Sequence, residues 1–372
     1  MYQMKNKLQV KIPGKLYVAG EYAVVESGHT AILTAVNRYI TLTLEDSERN
    51  ELWIPHYENP VSWPIGGELK PDGEHWTFTA EAINIATTFL KSEGIELTPV
   101  KMVIETELID QSGAKYGLGS SAAATVAVIN ALMTKFYPEI SMLKKFKLAA
   151  LSHLVVQGNG SCGDIASCMY GGWIAYTTFD QEWVKHRLAY KSLEWFMKEP
   201  WPMLQIETLE EPVPTFSVGW TGTPVSTGKL VSQIHAFKQE DSKNYQHFLT
   251  RNNEIMKQII QAFHTKDEEL LYSSIKENRR ILQELGTKAG VNIETSLLKE
   301  LADSAENMGG AGKSSGSGGG DCGIAFSKTK ELAEKLVNEW EKLGIKHLPF
   351  HTGRVQITES VFYTHHPSLT NS

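Results

Sequence analysis

Residues 117–128 read Gly-Leu-Gly-Ser-Ser-Ala-Ala-Ala-Thr-Val-Ala-Val, and the strand-like run Val100 to Leu108 precedes them. Few folds provide a strand, then a loop of glycine and serine, then at once a helix of small residues starting at Ala122. Backbone N–H groups at a helix start lack intrahelical partners, and the helix dipole makes that end positive. With two hydroxyls added, the segment predicts an anion site, with triphosphate the foremost ligand. An N-cap serine after a tight turn accounts for one Ser and one Gly, but not for two of each ahead of three small residues.

Two similar stretches fail on spacing. Ala311-Gly312-Lys313-Ser314 lacks the first glycine of G-x-x-x-x-G-K-[ST], because that position is Asn307. Gly228-Lys229 has Thr223 and Leu230 where the glycine and the hydroxyl belong. Gly117 and Gly119 lack the third glycine of a dinucleotide-binding loop. Three further places hold candidate chemistry. Gln157-Gly-Asn-Gly-Ser-Cys-Gly-Asp164 sets an acid in a glycine-rich loop, where a turn-forming Asp is the plainer alternative. The glycine run Gly309 to Gly320 carries Lys313, Ser314, Ser315 and Ser317 and leads straight into strand-like Gly323 to Phe326, which sets it against a sheet rather than in a free linker. Lys15 follows Pro13-Gly14, and its plainer alternative is a solvated surface lysine.

Strands are expected at Leu8–Ile12, ending at Pro13-Gly14, and at Ala31–Leu44, Val100–Leu108, Met203–Thr208, Thr215–Trp220, Gly323–Phe326, Lys346–Phe350 and Arg354–Thr358. Helical spacing runs over Ala80–Lys91, from Ala122, and over Leu143–Gln157, Leu230–Phe263, Glu268–Leu285, Thr295–Asn307 and Thr329–Leu343. Glu48 to Glu74 reads as loops around an irregular hairpin, Asp180 to Pro202 as a Trp-rich charged segment, and the tail after Tyr363 as frayed. Strands and helices mingle without regular βαβ alternation, so the expected class is α+β. At 372 residues two domains are expected, divided as 1–200 and 201–372.

Lys plus Arg number 36 against 43 Asp plus Glu, a net charge of −7, which argues against nucleic acid as a partner. No apolar run approaches the ~18 residues of a membrane span, and Lys5, Lys7 and Lys11 stand where a signal peptide needs an apolar stretch. A cytoplasmic protein is expected. Three cysteines without a C-x-x-C pair and scattered histidines support neither a disulfide framework nor a metal centre built on protein nitrogen or sulfur.

Pro13-Gly-Lys-Leu-Tyr-Val-Ala-Gly-Glu-Tyr22, Gly117-Leu-Gly-Ser-Ser-Ala-Ala123 and Gly312-Lys-Ser-Ser-Gly-Ser-Gly-Gly-Gly-Asp-Cys322 together resemble, in order, the three motifs of the GHMP small-molecule kinases. Tyr22, Gly158-Asn-Gly-Ser-Cys-Gly-Asp-Ile-Ala-Ser167 and Val218-Gly-Trp-Thr-Gly-Thr-Pro-Val-Ser-Thr227 resemble the branch that acts on 5-phosphomevalonate. The similarity extends from about Leu8 to Thr358. It implies an N-terminal domain like ribosomal protein S5 domain 2, a ferredoxin-like C-terminal domain, and an active site in the cleft between them. It further implies ATP and Mg²⁺, with phosphomevalonate as acceptor and diphosphomevalonate as product, in a monomer or homodimer that engages neither nucleic acid nor membrane. By motif position Gly117, Leu118, Gly119, Ser120, Ser121, Ala122 and Ala123 would cradle the nucleotide, with Ser121 near the metal. Lys15 and Asp164 would be the catalytic pair, and Lys15, Tyr22 and Ser161 would face the acceptor.

The sequence departs from this pattern in two places. Related kinases draw a magnesium-binding carboxylate from the helix before the catalytic Asp, yet 142–157 holds no Asp or Glu. Cys162 stands where a smaller residue is expected. A phosphate monoester has a second pKa of ~6 and is largely dianionic at neutral pH, so the acceptor needs no strong base. Asp164 is therefore expected chiefly to orient Lys15. The alternatives are a sister enzyme acting on mevalonate or diphosphomevalonate, and a non-catalytic metabolite-binding regulator.

Overall fold

The computed structural model describes residues 2–55, 59–70, 76–109, 113, 115–223 and 227–365. The expectations for residues 110–112, 114 and 224–226, and for the tail after residue 365, lie outside them. The first strand, β1 (Tyr2–Ala19), does not end at Ile12. Proline has no N–H to give a ladder, but register shifts at Pro13/Gly14 and Tyr17/Ala19 absorb the misfit as bulges, and the strand continues. Its antiparallel partner β2 (Thr30–Asp46) is nearly as long. The irregular hairpin is β3 (Asn50–Trp53) with β4 (Val61–Trp63).

Next come α1 (Thr77–Ser92), β5 (Val100–Thr106), α2 (Ser120–Phe136) and α3 (Met142–Gln157). Of the apolar set read on α3, Phe146, Ala150 and Leu154 are buried while Leu143 and Val155 face solvent. After α3 the chain forms α4 (Gly163–Tyr170), a helix unexpected in so glycine-rich a stretch, and then β6 (Trp173–Thr177). The Trp-rich segment folds as α5 (Gln181–Leu188) and α6 (Leu193–Lys198), followed by β7 (Gln205–Leu209) and β8 (Thr215–Trp220).

The helix expected over Leu230–Phe263 is two helices, α7 (Thr227–Glu240) and α8 (Ser242–Thr265), because Asp241 caps the second by accepting the Asn244 N–H. α9 (Glu268–Ala289) and α10 (Ser296–Asn307) follow. Part of the glycine run is itself a strand, β9 (Ala311–Ser314), paired with β10 (Cys322–Ser327). α11 (Lys330–Lys342), β11 (Lys346–Leu348) and β12 (Gln356–His365) complete the order.

Among the described residues the strands form two sheets, consistent with the α+β class. The larger runs β12-β1-β2-β5-β3-β4, with β6 bridging β2 and β7, and the smaller runs β11-β8-β10-β9. β7 and β12 therefore pair into the sheet of the N-terminal half, although both lie beyond residue 200. α2 is buried almost all round, from Ala122 to Met133, against β1, β2, α1, α3 and α4. Its small residues let those neighbours approach closely, and this central position holds the Gly-Ser loop at the end of β1.

Candidate active site

β1 and the loop before α2 are bound together at Lys15. The Lys15 N–H donates to the Leu118 carbonyl at 3.0 Å, and the ammonium donates to the Gly117 carbonyl, also at 3.0 Å. Gly119 caps α2 in the left-handed region (φ 76°), and a Cβ there would lie 2.9 Å from Lys15 Cε, so both backbone and space call for glycine. No side chain caps α2 and its first turn holds no acid, which leaves a bare, positive helix start. Ser120 and Ser121 occupy that turn, half-buried. The Ser121 hydroxyl lies 3.5 Å from His153 Nε2 on α3, a buried ring packed on Phe78 at 4.8 Å. α3 thus reaches the loop with an imidazole rather than a carboxylate.

Asp164 sits in the first turn of α4, half-buried, and accepts the N–H of Ile165 at 2.9 Å. It makes no ion pair with Lys15 within 4.0 Å; Lys15 is held instead by Gly117 and lies 5.4 Å from the centre of the Tyr17 ring. The expected orientation of Lys15 by Asp164 is therefore not a direct contact in this structure. Cys162, the residue before α4, has φ 58°, which explains why glycine suits that position. Burial pushes the thiols of Cys162, Cys168 and Cys322 up, with Asp164 adding to the first two and Asp321 to the third, so all three remain protonated.

The Ser161 hydroxyl lies 3.2 Å from the Tyr17 phenol and accepts the Gly163 N–H at 3.2 Å. Its carbonyl accepts the Tyr176 hydroxyl at 2.5 Å. Tyr22 is placed differently: it is buried at φ 61°, and its hydroxyl donates to the Ser317 carbonyl at 2.6 Å. Tyr17, rather than Tyr22, is the tyrosine beside Ser161. Tyr17 lies inside the first motif with no role of its own implied there; the clue is its place two residues after Lys15, on the same face of a strand.

The third glycine-rich segment is fastened over this end of β1. Ser315 donates its hydroxyl to the Tyr17 carbonyl at 2.8 Å, and the fully buried Lys313 ammonium bonds the Glu21 carboxylate. Asp321 (φ 50°) gives its N–H to Thr223 and receives the N–H and hydroxyl of Thr221, while its carboxylate packs against Gly117. Three segments far apart in the chain thus meet near Lys15. Arg280 pairs with Glu277 and Glu284, and Lys101 lies over the Trp53 ring, so both cations have partners away from Lys15.

The uncapped glycine-serine start of α2 stands beside Lys15, and α4, which carries Asp164 in its first turn, packs against α2, an arrangement suited to the nucleotide phosphates of a small-molecule kinase. Profiles of the GHMP kinases N terminal domain and of the GHMP kinases C terminal match residues 80–172 and 259–346. A phosphomevalonate kinase from Streptomyces sp. strain CL190 is 33% identical over 362 residues, 91% of this chain and 95% of that protein. The Streptococcus pneumoniae phosphomevalonate kinase, solved with phosphomevalonate and AMPPNP, superposes with a TM-score of 0.82 at 29% identity, covering 92% of this chain and 99% of that one. A mevalonate kinase from Thermococcus gammatolerans is 26% identical over 342 residues, 86% of this chain and 89% of that protein. The chain belongs to the phosphomevalonate kinase family of the GHMP kinases.

Proposed function

We propose that the chain transfers the γ-phosphoryl group of ATP to 5-phosphomevalonate, giving 5-diphosphomevalonate and ADP, in the cytoplasm. The observation that carries this reading is the bare start of α2 facing Lys15, with Ser161 and Asp164 on neighbouring elements. An acceptor phosphate oxygen forms the new bond to Pγ, and the bond from Pγ to the β–γ bridging oxygen breaks to release ADP. The acceptor arrives as a dianion, so no proton has to be removed, and the work of the site is to hold two polyanions together.

Lys15 spends one of its ammonium donors on Gly117 and directs the others at phosphate oxygens as charge builds between donor and acceptor. The first-turn N–H groups of Ser120, Ser121 and Ala122 bind the nucleotide phosphates. Among the described residues no cluster of three or more His, Cys, Asp or Glu forms a metal cage. The hydroxyls of Ser120 and Ser121 are the hard oxygen donors at the α2 start that an Mg²⁺ carried in on the triphosphate would find. Ser121 is the protein hydroxyl that would hold it, steadied by His153. The ion supplies charge neutralisation on the phosphates when bound.

ADP release with phosphomevalonate, mevalonate, diphosphomevalonate or no acceptor tests the assignment, and turnover confined to phosphomevalonate is expected. Loss of one transition-state cation costs about 10²–10³-fold in kcat. Lys15→Met should show that loss, and Asp164→Asn should lose no more than Lys15→Met. A far larger loss for Asp164→Asn would restore a base role to Asp164.

A further inference from the structure

We infer that Tyr17 is the positioning residue of this site, holding Lys15 with its ring and Ser161 with its phenol. This rests on the proposed roles of Lys15 and Ser161. Tyr17 follows Lys15 by two residues on β1, so both side chains leave the same face, and the ammonium stands 5.4 Å from the ring centre, within cation–π range. At the far end of the same side chain the phenol oxygen is 3.2 Å from Ser161 Oγ. Gly163 supports this independently, because a Cβ there would lie 2.8 Å from the Tyr17 oxygen and 3.3 Å from Ser161 Oγ. The turn into α4 is therefore shaped around the phenol. Ser315 adds a third tie by donating to the Tyr17 carbonyl. Burial, reinforced by the charge of Asp164, pushes the phenol up, so it stays protonated and able to donate.

The two contacts separate chemically. Tyr17→Phe keeps the ring beside Lys15 and removes only the hydroxyl, whereas Tyr17→Leu removes both. ADP release by the whole protein, with ATP and phosphomevalonate varied in turn, gives kcat and both KM values, and thermal melting checks the fold. Losing the neutral hydrogen bond that places Ser161 should raise KM for phosphomevalonate about tenfold in Tyr17→Phe, with kcat within about threefold and KM for ATP unchanged. Tyr17→Leu should in addition lose kcat about tenfold or more, as the ammonium wanders.

The inference is overturned by an unchanged acceptor KM in Tyr17→Phe, or by a uniform fall in all three constants together with a lowered melting temperature. It is also overturned by Tyr17→Leu matching Tyr17→Phe. If Tyr17→Leu does not fold, Tyr17→Phe alone decides. Lys15→Met run alongside separates the two: full activity there refutes the roles proposed above, whereas its inactivity beside Tyr17 variants whose constants match the unsubstituted protein refutes only this inference.

Discussion

The Glu21–Lys313 pair gives the sharpest quantitative test of how the third glycine-rich segment is fixed to β1. Both residues are buried, Lys313 at 0% and Glu21 at 3% exposure. Lys313 also donates to the Ser314 carbonyl at 2.6 Å, while Glu21 Oε2 has no partner. Burial pulls the lysine pKa down and the carboxylate opposes it. Removing one partner strands a charge that water cannot reach, which costs about 3–5 kcal/mol. Glu21→Gln and Lys313→Met should each lose that much.

The double variant should recover most of the loss, because two neutral side chains of similar volume leave no charge to desolvate. At roughly 2.1 cal/mol/K per residue, unfolding this chain carries about 0.8 kcal/mol per kelvin, so each single variant should melt roughly 4–6 °C lower. Urea titration of the four proteins gives the coupling energy directly. The reasoning fails if the single variants each lose under about 1 kcal/mol, or if the double variant loses as much as both singles added together.

Two further perturbations address other charged groups, one in each half of the chain. Arg279, 7% exposed, bonds Glu294 at 2.6 and 3.1 Å, Asp303 at 2.6 Å and Glu306 at 2.8 Å. Arg279→Met should cost about 3–5 kcal/mol by urea titration at pH 7, and a cost below about 1 kcal/mol would show that solvent screens the cluster. The pKa of His29 is lowered by burial, against opposing contributions from Asn253 and Glu26. Because the folded value lies below the unfolded ~6.5, the unfolded chain binds the proton more readily, and stability is complete above that value and falls as pH drops below it. His29→Gln should flatten the fall in stability below about pH 6.5, and an unaltered slope would locate the titration elsewhere, with His347 the next histidine whose pKa burial lowers.

How legible these features were depended on whether their cause was local. Gly117 to Ala123 could be read because a helix start that binds anions needs glycine, hydroxyl and small residues side by side. Helix α4 was hidden by the glycines at 158, 160 and 163, which read as loop even though an eight-residue helix begins among them. β1 was cut short because Pro13-Gly14 is a stop signal locally, and only pairing with β2 turns it into a bulge. β9 was hidden by composition in the same way. Lys313 and Glu21 are 292 residues apart, and nothing in either neighbourhood announces the other. Tyr17 lay in plain view inside a recognised motif, yet its role follows only from what Ser161 and Gly163 bring to it through tertiary packing.

β12 pairs with β1 from Tyr2↔His365 to Lys11↔Gln356, so the outer edge of the strand that carries Lys15 is covered by the last strand described. During synthesis β1 emerges early and its partner late, after both sheets' other strands have left the ribosome. Until then β1 offers an open row of N–H and C=O groups, a template for wrong pairing and a natural client surface for holding chaperones. Because the two strands are more than 300 residues apart in sequence, their pairing is a contact of very high sequence separation, which costs the most loop-closure entropy to form.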